Sequence, residues 1–280
     1  MITEPAPAKL NLALHIRHRR PDGYHELETL FAFCRDGDLI EFEPAPENRF
    51  TITGPFAAEL TDAADAASWA DNLVTRAADA FTAAYGIAQT YRVTLTKHLP
   101  IASGIGGGSA DAAATLRALA RLHGIPPADP DLAAIAARLG ADVPACLLGR
   151  TALGRGRGDA LEPMDGLSGT PALLVNPGVP LSTAAVFARW DGVDRGPIGE
   201  GDLLAQARAG RNDLEPPARA LAPAIGDVLK LLNGASGLLL ARMSGSGATC
   251  FALFGDEPAR TAAAAVVQAR GWWHLETTLA

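Results

Sequence analysis

The stretch Leu99-Pro100-Ile101-Ala102-Ser103-Gly104-Ile105-Gly106-Gly107-Gly108-Ser109-Ala110-Asp111 places four glycines within five residues, directly before an alanine-rich segment. Glycine has no Cβ atom, so backbone N–H groups in such a loop can approach an anion closely. A helix that begins there adds unpaired N–H donors and the positive end of its dipole. The stretch therefore predicts a phosphate-binding loop followed by a helix over about residues 109–123.

Two other phosphate loops do not fit these residues. The Walker A pattern requires a lysine after its last glycine, whereas Gly108 is followed by Ser109 and Ala110. The dinucleotide fingerprint requires a glycine at position 109 and a chain of alternating parallel units, which the sequence does not show. A glycine-rich turn can also be only a tight connection before a helix, and the loop by itself leaves that alternative open.

The composition is that of a globular enzyme. With 280 residues, of which 48% are hydrophobic and 20% charged, the chain can form one large domain or two of ordinary size. The formal net charge of -7 argues against general nucleic-acid binding, which usually requires a basic surface. No stretch has the features of a targeting or membrane-spanning segment, so we expect no membrane partner. The choice between a monomer and a homodimer stays open.

The three cysteines indicate the redox environment. Cys34, Cys146 and Cys250 are far apart in the sequence and lack metal-ligand spacing. They favour a reduced, cytoplasmic protein in which each cysteine is a small buried apolar residue.

Strand signals come in clusters and predict a mixed protein. Alternating apolar residues predict a strand over residues 9–17, a turn at 21–25 and a returning strand over 27–34. Further strands are predicted near residues 39–43, 49–53, 91–96, 172–176 and 274–278, with a strand–loop–strand over 238–254.

Cap residues mark the helices. Asp71 and Asn72 predict the start of a helix that runs to about Tyr85 and ends at Gly86. Other helices are predicted over residues 130–139, 183–190, 221–233 and 258–270. Alternating glycines and arginines near residues 149–159 are interpreted as the crossing between two lobes. The polar region 191–210 predicts no clear element.

A second glycine loop, Met243-Ser244-Gly245-Ser246-Gly247-Ala248-Thr249-Cys250, lies between two apolar strands. It does not fit the G-x-S-x-G nucleophile elbow, because neither serine has glycines two residues away on both sides. A strained hairpin and a second backbone wall beside bound phosphates remain equally good interpretations.

Three blocks together resemble the GHMP small-molecule kinases, named for galactose, homoserine, mevalonate and phosphomevalonate. The blocks are Pro7-Ala8-Lys9-Leu10-Asn11-Leu12, residues 99–114, and Ser244-Gly245-Ser246-Gly247-Ala248-Thr249. Residues 20–27 and 139–144 are similar to the branch of this family that acts on a cytidine diphosphate-linked methylerythritol in non-mevalonate isoprenoid synthesis. The resemblance spans nearly the whole chain.

The resemblance implies an α+β fold with two lobes. Residues 1–155 would form a ribosomal-protein-S5-like lobe that binds ATP, and residues 156–280 a ferredoxin-like lobe. The implied reaction is Mg²⁺-dependent transfer of the ATP γ-phosphoryl group to the tertiary 2-hydroxyl of the cytidine-linked alcohol. The metal ligands stay unknown.

The resemblance also implies roles for individual residues. Asp142 matches a catalytic aspartate that orients or deprotonates the hydroxyl, and Lys9 matches a catalytic lysine that supplies a fixed positive charge. Residues implied to hold ATP are Pro100, Ile101, Ala102, Ser103, Gly104, Ile105, Gly106, Gly107, Gly108, Ser109 and Ala110, with Asn72, Leu73 and Lys97 at the nucleoside. Residues implied to bind the substrate are Asn11, Tyr24, His25 and Phe187. Lys97 could instead contact the substrate.

Other interpretations stay open on the residues alone. A lysine at the start of a strand is usually solvated, and Asp142 could be a turn former or a helix cap. The chain could be another GHMP kinase, acting on mevalonate, homoserine or a sugar, or a nucleotide-binding module without activity. A serine hydrolase using Ser109 or Ser246 lacks the elbow and a strong histidine partner.

Overall fold

The structure is a computed structural model that describes residues 1–60, 69 and 72–280, and these residues form an α+β protein. The described strands are β1 (Ile2–Arg19), β2 (His25–Ala45), β3 (Arg49–Thr53), β4 (Thr90–Thr96), β5 (Ala152–Arg155), β6 (Ala160–Pro163), β7 (Pro171–Asn176), β8 (Leu238–Met243), β9 (Cys250–Phe254) and β10 (Trp273–Thr278). The described α-helices are α1 (Leu73–Tyr85), α2 (Gly107–His123), α3 (Pro130–Leu139), α4 (Val143–Leu148), α5 (Thr183–Ala188), α6 (Leu203–Ala209), α7 (Glu215–Leu221), α8 (Ala224–Asn233) and α9 (Glu257–Gln268).

The first compact unit comprises Met1–Ala8, Asp36–Ile101 and Gly106–Gly149. Within it, β4 pairs with two strands: residues 39–45 of β2 run antiparallel to β4, and β3 runs parallel to it. Helices α1 and α4 both pack against α2. Most of the buried residues of α2 are alanines, and these small side chains let the neighbouring helices approach closely.

The second compact unit comprises Lys9–Arg35, Ala102–Ile105 and Arg150–Ala280. Its four-stranded sheet is antiparallel with strand order β10-β7-β9-β8, and α8 and α9 pack against it. This sheet with its helices agrees with the ferredoxin-like lobe that the resemblance implied. In the same unit, residues 29–31 of β2 pair with β5, and β5 pairs with β6.

The two units do not follow from one cut of the chain. Strands β1 and β2 and the first glycine loop each contribute residues to both units. The last change of unit along the chain falls between Gly149 and Arg150. The predicted lobe bounds, 1–155 and 156–280, stay a prediction.

Local cap signals predicted two helices well. Asn72 accepts a hydrogen bond from the Val74 N–H at 2.8 Å, and α1 ends at Gly86 with φ 65°. Asp71 lies outside the described residues. Helix α2 begins two residues earlier than predicted, because Gly106 takes a left-handed conformation (φ 69°) and lets the first turn start at Gly107.

The strand predicted to end at residue 34 and the one predicted near 39–43 are a single strand, β2. Gly37 explains the continuity, because β1 passes very close to it. A Cβ atom at Gly37 would lie 2.7 Å from Pro7 Cα, too close for any larger residue. A glycine between two polar residues therefore marks a close approach of strands here rather than a break.

Residues 149–159 were interpreted as the crossing between two lobes. They form β5, a turn and the approach to β6, which pairs with β5. Gly154 packs against Phe31, whose Cε2 atom would lie 2.7 Å from a Cβ at that position. Gly156 and Gly158 take positive φ angles of 72° and 93° in the turn. Among the described helices, none combines the length and apolar composition that crossing a bilayer requires.

Candidate active site

The start of α2 offers backbone N–H groups without a side-chain cap. Helices α1, α3, α5, α6 and α9 begin with a side chain that accepts a backbone N–H, whereas Gly106 at the start of α2 has none to offer. The N–H groups at the first turn of this 17-residue helix therefore point out at its positive end. Gly108 is exposed, and Gly107 and Ser109 are partly exposed. This arrangement suits an anion.

Two neighbours in the first unit shape this helix start. A Cβ atom at Gly107 would lie 3.0 Å from Lys97 Nζ, so a larger residue would press on that ammonium group. A Cβ atom at Gly108 would lie 3.4 Å from Leu73 Cδ1. Leu73 is thus brought next to the glycine loop, while the Asn72 side chain is engaged in capping α1.

The earlier part of the loop, Ala102–Ile105, packs against the second glycine loop in the second unit. The Thr249 N–H donates to Ser103 O at 3.0 Å, and Ser244 Oγ donates to Gly104 O at 2.9 Å. Gly104 has φ 78°, and a Cβ atom there would lie 2.8 Å from Gly247 N. The second loop is therefore built against the first one, which favours its interpretation as a second backbone wall.

Ala102, in the first glycine loop, takes a left-handed conformation with φ 48°. Residues other than glycine rarely adopt this backbone conformation, because Cβ crowds the following carbonyl. A glycine at this position would adopt the same conformation without that crowding.

Lys9 is buried in the second unit, so its interpretation as a solvated strand residue is wrong. The residue is 2% exposed, and its Nζ atom donates to Asn11 Oδ1 at 2.8 Å. The same atom lies 5.5 Å from the centre of the Phe31 ring. The Lys9 backbone N–H donates to Ile105 O at 2.9 Å, which joins this residue to the first glycine loop.

Asn11 forms hydrogen bonds through both polar atoms of its side chain and through its backbone N–H. Its Oδ1 atom accepts from Lys9, and its Nδ2 atom donates to Thr29 Oγ1 at 2.8 Å. Its backbone N–H donates to Ser244 Oγ at 3.1 Å. The predicted contact of Asn11 with substrate stays a prediction, but the structure gives this side chain a clear role in holding Lys9.

Lys97 lies between two carboxylates in the first unit. Its Nζ atom donates to Asp38 and, at 2.9 Å, to Asp111 Oδ2. Burial alone would lower the pKa of Lys97, but the attraction of Asp111 and Asp38 raises it. Burial raises the pKa of the Asp111 carboxyl well above its usual value, although the Lys97 charge opposes that rise. Direct contact of Lys97 with a nucleotide stays a prediction.

Asp38 also fixes the segment that leads into the glycine loop. Its Oδ1 atom accepts the backbone N–H groups of His98 at 2.6 Å and Leu99 at 2.9 Å. Neither Asp38 nor Asp111 was recognised from the sequence as a partner of Lys97. Asp111 lies within the motif itself, and its acidic side chain in an alanine-rich helix was a usable signal.

His25, Phe187 and Trp190 form an aromatic cluster in the second unit. The His25 ring centre lies 4.9 Å from that of Phe187 and 5.6 Å from that of Trp190, which meets it edge-on at 87°. Burial lowers the pKa of His25, and the Arg19 charge lowers it further. The imidazole is therefore neutral at pH 7, with one N–H donor and one acceptor nitrogen. Trp190 was not singled out from the sequence.

Tyr24 is placed differently from these rings. Its side chain is 52% exposed, and the guanidinium carbon of Arg157 lies 5.1 Å from its ring centre. Its backbone N–H donates to Asp22 Oδ1 at 3.0 Å, which closes the predicted turn. An exposed aromatic face of this kind is free to stack on a ligand.

Asp142 occupies the position before α4 in the first unit. The residue is partly buried, and its backbone O accepts the Cys146 N–H at 3.0 Å. Its side chain makes no capping hydrogen bond to α4, so the interpretation of Asp142 as a side-chain cap is wrong.

The second unit also contains a cavity of about 780 Å³ that none of the predicted site residues lines. Three of its arginines are paired with carboxylates: Arg195 with Asp191, Arg211 with Asp213 and Arg219 with Glu215. Arg242 donates to backbone carbonyls, including Gly210 O at 2.7 Å. These charged groups brace the walls of the cavity.

Two family models match the chain. The GHMP kinases N terminal domain matches residues 72–150, and the GHMP kinases C terminal domain matches residues 195–271.

Similar proteins are named 4-diphosphocytidyl-2-C-methyl-D-erythritol kinase. One from Rhizorhabdus wittichii is 55% identical over 99% of this chain and 94% of its own length. One from Novosphingobium aromaticivorans is 50% identical over 98% of this chain and 91% of its own length.

Solved structures are similar along the whole chain as well. A crystal structure of 4-(cytidine 5'-diphospho)-2C-methyl-D-erythritol kinase is 36% identical with a TM-score of 0.77, and the similarity covers 99% of each chain. A homoserine kinase from Cytophaga hutchinsonii is 21% identical with a TM-score of 0.69, covering 99% of this chain and 95% of its own. The second likeness is one of fold.

Proposed function

The chain belongs to the GHMP kinase family, and on that premise we propose that it transfers the γ-phosphoryl group of ATP to the 2-hydroxyl of 4-diphosphocytidyl-2-C-methyl-D-erythritol, giving the 2-phosphate and ADP. The observation that carries the proposal is the identity of 55% to a protein of that name over almost the full length of both chains. The reaction belongs to the non-mevalonate route to isoprenoid precursors. It requires phosphate binding, neutralisation of developing charge and orientation of the alcohol.

ATP binding is proposed at the first glycine loop. The uncapped start of α2 supplies backbone N–H groups at a positive helix end, and Gly106–Gly108 leave room for phosphate oxygens to approach them. Leu73 borders the same loop and is the proposed contact for the adenine end. The remaining loop residues, with Asn72 and Lys97, complete the proposed ATP site.

Lys9 is proposed to supply positive charge to the transferring phosphoryl group. Asn11 is a neutral amide, so its hydrogen bond helps to direct the ammonium group and does not itself neutralise the charge. A fixed cation in a buried setting stabilises developing negative charge more than a solvated one does, and it needs no reorganisation during the reaction.

Asp142 is proposed to act on the 2-hydroxyl of the alcohol. A carboxylate that accepts a hydrogen bond from this hydroxyl orients the oxygen for in-line attack and can take its proton. The support for this role is the family match of residues 139–144, together with a side chain that does not cap α4.

The cytidine part is proposed to bind at the aromatic cluster. Phe187 offers a flat apolar face, and Tyr24 an exposed ring, on which a pyrimidine can stack. The neutral His25 ring presents one donor and one acceptor, which can pair with the edge of a cytosine.

Mg²⁺ is proposed to accompany ATP. Within residues 1–60, 69 and 72–280, no three His, Cys, Asp or Glu side chains are grouped to hold a metal ion. Mg²⁺ usually keeps several waters and binds substrate phosphates with few protein ligands, so these residues fit an ion that arrives with the nucleotide. The Ser109 hydroxyl is the proposed protein ligand. Bound Mg²⁺ would neutralise charge on the β- and γ-phosphates.

A cytoplasmic location is also proposed. The three cysteines are buried and none of them forms a disulfide, as expected where thiols stay reduced.

A substrate panel tests the proposed function. ADP release would be measured with purified protein, ATP and Mg²⁺, and with the cytidine-linked alcohol, mevalonate, homoserine or galactose as acceptor. We expect release that depends on the cytidine-linked alcohol and only background with the others. Release that depends instead on one of the other three acceptors would assign the chain to another branch of the family.

A further inference from the structure

Thr29 stands at the end of a buried chain of hydrogen bonds that leads to Lys9. Thr29 is 1% exposed, and its Oγ1 atom donates to Ala13 O at 2.8 Å. The same oxygen accepts from Asn11 Nδ2 at 2.8 Å, and Asn11 Oδ1 accepts from Lys9 Nζ at 2.8 Å. All four residues belong to the second unit.

The direction of each bond follows from the one before it. A hydroxyl has a single proton, and a backbone carbonyl can only accept a hydrogen bond. The Thr29 hydroxyl therefore uses its proton to donate to Ala13 O. The Thr29 oxygen then has only lone pairs left, and only the NH₂ side of the Asn11 amide can face it. The amide oxygen must consequently face Lys9. The reversed amide would turn its NH₂ group toward the ammonium group, which also only donates.

The backbone around this chain is already fixed. The Asn11 N–H is held by Ser244 Oγ at 3.1 Å, and the Lys9 N–H is held by Ile105 O at 2.9 Å. The orientation of the Asn11 amide then decides whether its oxygen or its NH₂ group faces the Lys9 ammonium.

We infer that Thr29 is a positioning residue for phosphoryl transfer, which sets the orientation of Asn11 and through it aims Lys9 at the transferring group. The inference rests on the proposed function in one respect only, namely that Lys9 takes part in the reaction. Thr29 itself contacts neither substrate nor ATP in this account.

The test compares Thr29→Val, which keeps the shape but loses the hydroxyl, with Thr29→Ser, which keeps the hydroxyl. For Thr29→Val we expect kcat to fall about tenfold, as an unsatisfied buried amide and a misdirected ammonium imply, with KM for both substrates within about twofold. Thr29→Ser should keep kcat within about threefold of wild type. A Thr29→Val protein with unchanged kcat, or a Thr29→Ser protein as slow as Thr29→Val, would overturn the inference.

Thr115→Val is the matched control. Thr115 is fully buried in α2 and its hydroxyl also donates to a backbone carbonyl, Asp111 O at 2.9 Å, but it lies outside the chain to Lys9. We expect this variant to lose stability to a similar extent without the tenfold fall in kcat. An equal fall in kcat would show that loss of any buried hydroxyl slows the enzyme.

A double variant shows whether Thr29 affects the rate through Lys9 or through a general effect on the protein. In a Lys9→Met background, Thr29→Val should change the residual rate by less than about twofold, because the group that it positions is gone. A further tenfold loss in that background would contradict the inference.

A readout without activity keeps the inference distinct from the proposed function. Crystal structures of the variants should show the contact between Lys9 Nζ and Asn11 Oδ1 kept in Thr29→Ser and lost in Thr29→Val. If wild-type protein failed to use the cytidine-linked alcohol while this contact behaved as expected, the proposed function would fall and the positioning role of Thr29 would stand. If the contact survived in Thr29→Val, the positioning role would fall whatever the substrate.

Discussion

Lys9 and Lys97 are buried to the same extent, each 2% exposed, but they donate hydrogen bonds to acceptors of different chemistry. Lys97 donates to the carboxylates of Asp38 and Asp111, which balance its charge within the protein. Lys9 donates to the amide oxygen of Asn11, which is a neutral acceptor. Equal burial therefore does not make the two lysines equivalent, because two carboxylates hold Lys97 whereas an amide oxygen accepts from Lys9.

Substitution of Lys97 and substitution of Lys9 should therefore have different consequences. Loss of Lys97 leaves two buried carboxylates without their counter-ion beside the segment that leads into the glycine loop. Loss of Lys9 leaves one amide oxygen without a donor. The first change should be seen mainly in stability and the second mainly in rate.

The largest loss of kcat is expected for Asp142, which serves as a reference for the two lysines. Asp142→Ala removes the carboxylate proposed to act on the 2-hydroxyl, so kcat should fall by about 10⁴-fold. Because the residue is partly exposed, the free energy of unfolding should change by less than about 3 kcal/mol, which is small beside the expected loss of rate. ADP release and urea unfolding measure the two quantities, and turnover near the wild-type rate would refute the role of Asp142.

Lys9→Met should lower kcat by about 10²–10³-fold, since it removes one fixed charge from the transferring group. The free energy of unfolding should fall by about 1–3 kcal/mol, the cost of an unsatisfied amide oxygen at Asn11. The same assays apply. Loss of activity that merely followed loss of folded protein would place Lys9 with Lys97 as a structural lysine.

Lys97→Met should lower the free energy of unfolding by about 3–5 kcal/mol, because removing one partner of a buried ion pair leaves uncompensated charge. Urea unfolding measures this loss. Asp111 can relieve part of it by taking a proton, so the loss should be smaller at pH 5 than at pH 8. A variant as stable as wild type at pH 8 would show that the ion pairs of Lys97 contribute little.

Asp111→Asn tests the smallest effect, a change in pH dependence. The folded-state pKa of Asp111 is raised, so above about pH 4 the unfolded chain loses this proton more readily than the folded protein does. This group therefore makes wild-type stability fall with rising pH until the folded-state pKa is passed. The free energy of unfolding of Asp111→Asn should depend less on pH over that range. Parallel pH profiles for the two proteins would contradict the assignment.

Features with local causes could be predicted from the sequence. The cap at Asn72, the helix end at Gly86 and the helix after the glycine loop each depend on a few neighbouring residues, and the structure confirms them. The turn before Tyr24 is likewise local, closed by Asp22 within the same segment.

Features that depend on distant contacts could not be predicted. Gly37 lies within a continuous strand because β1 passes beside it. Lys97 donates a hydrogen bond to Asp38, which is 59 residues away in the sequence. The link from Asn11 to Thr29 spans 18 residues and two strands. Lys9 and Asp142 were assigned from the family resemblance, and their roles stay predictions until the variants are measured.

The most direct test of the account is proton-coupled ³¹P NMR of the product formed by wild-type protein from ATP, Mg²⁺ and 4-diphosphocytidyl-2-C-methyl-D-erythritol. The carbon that carries the 2-hydroxyl has no hydrogen, so a phosphate there gives a monoester signal without three-bond coupling to a proton. We predict one such unsplit signal, appearing together with ADP. A split monoester signal would place the phosphate on another hydroxyl, and the absence of any new monoester would contradict the proposed function.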